Sequence, residues 1–180
     1  MLASLEDSVV VAVDLQPTFL KAIHDAERVL LRSSFLIDCA NCLGVPVIAT
    51  EQNAERMGGS DPRLDLRGVV VNKMEFGCWA NHDFRSAVLL SVRRQVFIVG
   101  VETHICVAQT ALEMLEAGFD VSVALDAVSA RMECQNKVAV KRLRDAGVTI
   151  THSESVVYEW MRTATHPPFK EILKLVKERA

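Results

Sequence analysis

The feature that most constrains the fold of this chain is a set of six short apolar segments rich in β-branched residues. Stretches with the spacing of amphipathic helices separate most of them, and several of these stretches end at a glycine, as at Gly44 and Gly147. Continuous apolar strands that alternate with helices are typical of a parallel sheet covered on both faces. The pattern therefore predicts an α/β protein, a three-layer α/β/α sandwich. The six segments are SVVVAVD (8–14), VPVIAT (45–50), GVVVN (68–72), QVFIVG (95–100), DVSVAL (120–125) and VTIT (148–151).

Length, charge and cysteine content exclude several classes of protein. The 180 residues show no repeat and no break in composition, so we expect a single domain over residues 1–180. A net charge of −3 offers no basic surface for nucleic acid. No basic region precedes the first apolar segment, and no apolar stretch approaches the roughly 20 residues that cross a bilayer. Five cysteines, an odd number, are most simply free thiols in a reducing compartment. We expect a cytoplasmic protein that binds neither nucleic acid nor membrane.

Three reactive side chains follow the predicted strands at the points where those strands end. Asp14 follows the first strand, Lys73 the third and Cys106 the fourth. Ligands of parallel α/β sheets bind beyond the carboxyl ends of the strands, where the strand order reverses. Each residue alone has an ordinary explanation as a turn residue, a solvated charge or a small buried side chain. Together, at one edge of one sheet, they indicate a reacting group with two groups that tune it.

The position of Cys106 suggests what this reacting group does. A thiol at the start of a helix faces unpaired backbone N–H groups and the positive end of the helix dipole, which favour the thiolate. Lys73 would favour the thiolate further. The same N–H groups can hold the oxyanion that forms when a thiolate attacks a carbonyl carbon. Asp14 could take the thiol proton and later give it to a leaving amine. The predicted chemistry is acyl transfer without a histidine base.

The motifs around these residues resemble those of the isochorismatase-like cysteine hydrolases, which include nicotinamidases, N-carbamoylsarcosine amidases and isochorismatases. The resemblance covers nearly the whole chain in order, and G-x-x-T-x-x-C-V after a strand is its most specific element. The matching segments are VVVAVDLQPTF (9–19), VVVNKMEFGCW (69–79), IVGVETHICVAQTA (98–111), VALDAVSAR (123–131) and AGVTITHSESVVYEW (146–160).

The resemblance implies a fold and a set of site residues. It implies a six-stranded sheet of order 3-2-1-4-5-6 and a catalytic triad of Asp14, Lys73 and Cys106. It also implies a cis peptide bond between Val101 and Glu102, and an oxyanion hole formed by the backbone N–H groups of Glu102 and Cys106. Members of this family usually form homo-oligomers, and we expect the same here.

The segment between the second and third strands departs from the nicotinamidase pattern. Nicotinamidases bind a metal through an Asp-x-His pair and further histidines in this segment, but residues 51–68 contain no histidine. The stretch ATEQNAERMGG instead resembles the corresponding loop of metal-free isochorismatase-domain hydrolases. We therefore expect no metal and no cofactor.

Five further residues are candidates for the wall of a substrate pocket. They follow the strand ends, and apolar walls with few polar groups are usual in pockets for small molecules. Each could equally be ordinary core. They are Gln16, Phe19, Phe76, Trp79 and Thr103.

Three functions are compatible with these residues. The first is a hydrolase that cleaves a small amide through a thioester on Cys106. The second is a hydrolase of a vinyl ether, as in isochorismatases, in which Asp14 is the general acid and the thiol is dispensable. The third is an oligomeric binding protein of the same fold without catalytic activity, because fold and motif do not fix function.

Overall fold

The computed structural model describes residues 2–179 and contains a six-stranded sheet in which all the strands are parallel. The strand order is β3-β2-β1-β4-β5-β6, so both the predicted α/β sandwich and the predicted order 3-2-1-4-5-6 are confirmed. The strands are β1 (Ser8–Val13), β2 (Val47–Gln52), β3 (Val69–Lys73), β4 (Gln95–Val101), β5 (Asp120–Ser129) and β6 (Thr149–Thr151).

Helices cover both faces of the sheet. The longer ones divide into α2, α7 and α8 on one face and α4, α5 and α6 on the other. A short 3₁₀ turn (Cys78–Ala80) precedes α4, and one turn of π-helix (Thr103–Val107) precedes α5. The helices are α1 (Pro17–Leu20), α2 (Ala26–Leu43), α3 (Ala54–Met57), α4 (His82–Leu90), α5 (Ala108–Glu116), α6 (Glu133–Asp145), α7 (Ser153–Met161) and α8 (Phe169–Arg179).

The central strand β1 shows why the strand segments are apolar at every position. Successive side chains of a strand point to opposite faces. Val10 and Ala12 therefore pack into the core under α2, whereas Val9 and Val11 pack into the core under α5. All six residues of β1 are buried. A strand covered on both faces has no position for an exposed polar side chain, which accounts for the continuous apolar runs.

The chain between β2 and β3 and the C-terminal segment add detail to the predicted pattern. β2 continues to Gln52, two residues beyond the apolar segment 45–50, and the short helix α3 lies between β2 and β3. The C-terminal helix α8 packs on the body of the molecule through Ile172, which is buried in the core. No helix within residues 2–179 combines the length and the apolar character needed to span a membrane.

The strand order reverses between β1 and β4, and a glycine allows these two strands to approach closely there. Gly100 has φ of +121°, and a Cβ atom at this position would lie 2.1 Å from the Val13 carbonyl oxygen. Val13 directly precedes Asp14, and Gly100 lies two residues before Glu102. The close contact at Gly100 therefore brings together the two segments that contain Asp14 and Cys106.

We expect Gly100→Ala to destabilise the protein more than Gly118→Ala does. Both glycines have positive φ, but a Cβ at Gly118 would have no atom within 4 Å. The control variant should lose only about 1–2 kcal/mol for left-handed backbone, whereas Gly100→Ala adds a clash with backbone. Equilibrium unfolding in urea measures both losses. Equal losses would show that the close approach at Gly100 is not a constraint.

Candidate active site

A buried ion pair joins the ends of β3 and β1. The Lys73 Nζ lies 2.8 Å from the Asp14 Oδ2, and the two residues are 1% and 2% exposed. Because β3 lies two strands from β1, the lysine side chain passes over the end of β2 to reach the carboxylate. The other carboxylate oxygen, Oδ1, accepts a hydrogen bond of 2.7 Å from the Thr50 hydroxyl. Both oxygens of Asp14 are thus held in place.

Lys73 makes two further hydrogen bonds, which complete the surroundings of its ammonium group. It donates to the Gln52 Oε1 at 2.6 Å and to the Glu75 carbonyl oxygen at 3.1 Å. Burial by itself would lower the pKa of Lys73, but the negative charge of Asp14 and the neighbouring thiols raise it above its ordinary value. Lys73 is therefore protonated at neutral pH and neutralises the charge of Asp14.

Cys106 follows β4, the strand that lies beside β1 in the sheet. It belongs to the turn of π-helix that joins β4 to α5. Within this turn the Glu102 carbonyl oxygen accepts hydrogen bonds from the N–H groups of Ile105 and Val107, at 3.0 and 3.3 Å. Cys106 is 8% exposed. The expectation that Cys106 begins the helix is wrong in detail, because α5 begins at Ala108, after the wider turn.

The protonation state of Cys106 also differs from the expectation of a thiolate. Burial raises the pKa of this thiol far above its ordinary value, and the Asp14 carboxylate raises it further, through its charge and as an acceptor for the thiol hydrogen. Lys73 lowers the pKa but does not outweigh these effects. The effect of Lys73 on the pKa of Cys106 is limited because Asp14 already compensates the charge of Lys73. The resting thiol is therefore protonated, with the carboxylate beside it as its proton acceptor.

A cavity of about 70 Å³ opens onto the Cys106 thiol. Phe19 and Phe76 line it, as the sequence suggested. Gln52 and Ile105 also line it and were not among the candidates, although Gln52 ends β2, the strand between the two charged partners. The lining residues are Asp14, Phe19, Gln52, Phe76, Val101, Glu102, Ile105 and Cys106.

Three of the five pocket candidates lie outside this lining, which corrects the sequence interpretation. Gln16 is fully buried; its Oε1 accepts from the Gln52 N–H at 2.7 Å, and its Nε2 donates to the Gly58 carbonyl oxygen at 2.6 Å. Trp79 packs edge-on against Phe119, with the ring centroids 5.1 Å apart. Thr103 is fully buried in the turn before Cys106. Gln16 supports the cavity indirectly, because it fixes the backbone of Gln52.

The segment before Cys106 is held by a surface ion pair. The peptide bond between Val101 and Glu102 is cis. The Glu102 Oε2 accepts a hydrogen bond of 2.9 Å from the Nε of Arg131, and the His104 Nδ1 lies 4.0 Å from the same oxygen. Among residues 2–179, no acceptor is found for the backbone N–H of Glu102. A backbone N–H group without an acceptor, next to the Cys106 thiol, can donate a hydrogen bond to a ligand.

A second thiol, Cys78, lies behind Asp14. Its Sγ is 3.7 Å from the Thr50 Oγ1, and the residue is completely buried. Burial raises the pKa of Cys78 to about 11. Cys78 does not line the cavity, and no motif in the sequence distinguishes it from the other cysteines.

The histidines and acidic residues do not assemble into a metal site in the described part of the chain. Across residues 2–179, no three side chains from His, Cys, Asp and Glu lie close enough together to hold an ion. His82, the histidine that follows Lys73, is exposed, and its Nδ1 lies 3.2 Å from the neighbouring Asp83 carboxylate.

We expect Lys73→Met to lower the free energy of unfolding by about 3–5 kcal/mol, because it leaves the Asp14 carboxylate buried without a counter-charge. The double variant Asp14→Asn/Lys73→Met should regain most of this loss. The deficit of the single variant should shrink as the pH falls, because protonation removes the isolated charge. In the parent protein the pKa of Lys73 is raised, so Lys73 keeps its charge up to its ordinary pKa of about 10.4, and the stability that the pair contributes is lost only as the pH rises beyond that value. Urea unfolding at several pH values measures these differences, and a double variant no more stable than Lys73→Met would contradict the explanation.

Comparisons with known proteins agree with this fold. The family model "Isochorismatase domain" matches residues 8–155. Isochorismatase domain-containing protein 2A of Mus musculus is 34% identical over 178 residues, which cover 96% of this chain and 84% of that protein. The structure of MAR1 ribonuclease from Caenorhabditis elegans has a TM-score of 0.92 at 31% identity, covering 98% of this chain and 93% of that one. YcaC from Pseudomonas aeruginosa, solved with hexane-2,5-diol and covalent acrylamide, has a TM-score of 0.85 at 26% identity, covering 98% and 96%.

The family match and the identity to the mouse protein both extend over most of the chain, and the strand order and helix layers are those of the structural neighbours. This chain belongs to the isochorismatase family and has its hydrolase fold.

Proposed function

We propose that this protein hydrolyses a small amide through a thioester on Cys106, without a cofactor. The observation that supports this most strongly is a single arrangement of groups. A thiol opens onto a small cavity, and a carboxylate that can accept its proton is held beside it by Lys73 and Thr50.

In the first step the Cys106 sulfur attacks the carbonyl carbon of the amide. A C–S bond forms while the thiol proton passes to Asp14, which acts as general base. The oxygen of the tetrahedral intermediate receives hydrogen bonds from the backbone N–H groups of Glu102 and Cys106. Protonation of Asp14 leaves the positive charge of Lys73 uncompensated, and that charge stabilises the new oxyanion. The ion pair thus carries a net positive charge only after Asp14 has accepted the proton, when the oxyanion has formed.

In the second step the C–N bond breaks, and Asp14 returns the proton to the leaving nitrogen. Water then attacks the thioester carbonyl carbon and gives a proton to Asp14. The C–S bond breaks, the sulfur regains the proton, and a carboxylic acid leaves. Asp14 acts first as a base and then as an acid in each half of the cycle, so no histidine is required.

The named neighbours bear on the choice of chemistry. The YcaC structure contains covalent acrylamide, which supports a nucleophile accessible to a small amide in a protein of this fold. The nematode neighbour is named a ribonuclease. In this chain, however, the net charge is −3 and no lysine or arginine lines the cavity within the described residues, so no free positive charge there attracts a polyanion. We therefore favour a neutral small molecule over nucleic acid as the substrate.

We also propose that the protein acts in the cytoplasm as a homo-oligomer. All five cysteines are free thiols, which suits a reducing compartment. Leu90 and Val92 at the end of α4 are 82% and 84% exposed, which is unusual for apolar side chains and favours their burial against another subunit.

Light scattering should give a mass that is a multiple of 19.9 kDa, and alkylation of whole-cell lysate should find the thiols reduced. A monomer, or oxidised thiols, would contradict this assignment.

Replacement of Cys106 by alanine tests the proposed mechanism. We expect Cys106→Ala to lower kcat/KM for short-chain amides by at least about 10³-fold, because the covalent intermediate cannot form. Cys134→Ala removes an exposed thiol that does not line the cavity and should leave the activity unchanged. Ammonia release measures turnover, and intact-mass spectrometry of the parent protein during turnover should find an acyl group on Cys106.

The other outcomes identify the alternative functions. If Cys106→Ala remains active, the thiol is dispensable, as it would be in the hydrolysis of a vinyl ether. If the parent protein neither releases ammonia nor acquires an acyl group, a binding protein without catalytic activity is the better interpretation.

A further inference from the structure

We infer that the substrate is uncharged and that its acyl group is short and apolar. This inference rests on the proposed amide hydrolysis at Cys106 and adds to it the class of amide that the site accepts. Two observations support it. The charged groups around the cavity are already paired with one another, and the cavity is small and has apolar walls.

No lysine or arginine lines the cavity in the described part of the chain, whereas two acidic residues, Asp14 and Glu102, do. The nearby ammonium of Lys73 has three N–H groups. All three are engaged, with Asp14, Gln52 and the Glu75 carbonyl oxygen, at 2.8, 2.6 and 3.1 Å. The guanidinium group nearest in the ion pairs of the lining residues is that of Arg131, which pairs with Glu102 at 2.9 Å.

A substrate with a second carboxylate would therefore enter a site without a counter-charge. It would lose its hydration and gain no ion pair in return, which is unfavourable for any buried charge. A substrate ammonium group would find both carboxylates already neutralised, by Lys73 and Arg131. The site thus selects against charge of either sign.

The walls away from the reacting groups are apolar. Phe19, Phe76, Val101 and Ile105 form them, and the amide of Gln52 is not free to bind substrate. Its Oε1 accepts from Lys73, and its Nε2 donates to the Met74 carbonyl oxygen at 2.9 Å. The volume of about 70 Å³ is far below the roughly 300–1,000 Å³ of pockets that bind drug-sized ligands. An acyl chain of a few carbon atoms fills this space, and a fused-ring acyl group does not.

The experiment compares isovaleramide with malonamate. These two primary amides have the same shape, but an isopropyl group in the first is replaced by a carboxylate in the second. In the parent protein kcat/KM for isovaleramide should exceed that for malonamate by at least about 100-fold, because the carboxylate is left unpaired. A ratio near one, or a preference for malonamate, would overturn the inference.

A variant at the mouth of the cavity provides the matched test of charge. Phe76 lines the cavity and is 57% exposed, so a longer side chain can be accommodated there. Phe76→Arg supplies the missing cation and should reduce the preference for isovaleramide by at least about tenfold. Phe76→Leu removes the ring without adding charge and should not improve the use of malonamate. If Phe76→Leu improves malonamate as much as Phe76→Arg does, size rather than charge governs selection.

Protection of the thiol separates this inference from the proposed function. In Cys134→Ala protein, isovaleramide should slow the alkylation of Cys106 by iodoacetamide, and malonamate at the same concentration should not. If isovaleramide protects but is never hydrolysed, the amidase proposal fails while the inferred selectivity stands. If malonamate protects as well as isovaleramide, the selectivity fails whether or not either amide is hydrolysed.

Discussion

The buried ion pair between Lys73 and Asp14 is the interaction on which the site depends. A carboxylate and an ammonium group this deeply buried are stable only when each compensates the other and their remaining hydrogen-bonding positions are filled. Thr50 and Gln52 fill those positions from β2, the strand that lies between the two partners. The order of the first three strands is therefore a requirement of this ion pair, because it provides both the spacing that a lysine side chain can cross and the polar groups that fill the remaining hydrogen-bonding positions.

Much of the fold and part of the site could be predicted from the sequence. Apolar runs such as Val9–Val13 are buried on both faces of the sheet, and only a covered parallel sheet places every side chain of a strand in a core. Asp14, Lys73 and Cys106 could be placed at one edge, because the carboxyl ends of parallel strands lie together. The exact order of the strands followed from the resemblance to a family and could not be derived from the periodicity of the segments.

The properties that the sequence did not predict are those set by three-dimensional distances. The pKa of Cys106 depends on its burial and on the charge that Asp14 retains near it, and neither can be read from its position before a helix. Gln16 lies two residues after Asp14 in the chain, but its side chain accepts a hydrogen bond from the backbone N–H of Gln52. Gln52 lines the cavity because strand β2 continues two residues beyond Thr50. The point at which a strand ends is among the features that a sequence pattern predicts least reliably.

The protonated resting state of Cys106 has a consequence for the life of the protein in the cell. Peroxides and other electrophiles react with thiolates far faster than with thiols. A cysteine enzyme that keeps a standing thiolate is therefore exposed to inactivation whenever its site is empty. In this protein, burial and the neighbouring Asp14 carboxylate raise the pKa of the Cys106 thiol, so little thiolate is present while the cavity is empty. The burial that places the sulfur beneath the cavity therefore also slows its reaction with peroxides and protects it from oxidation.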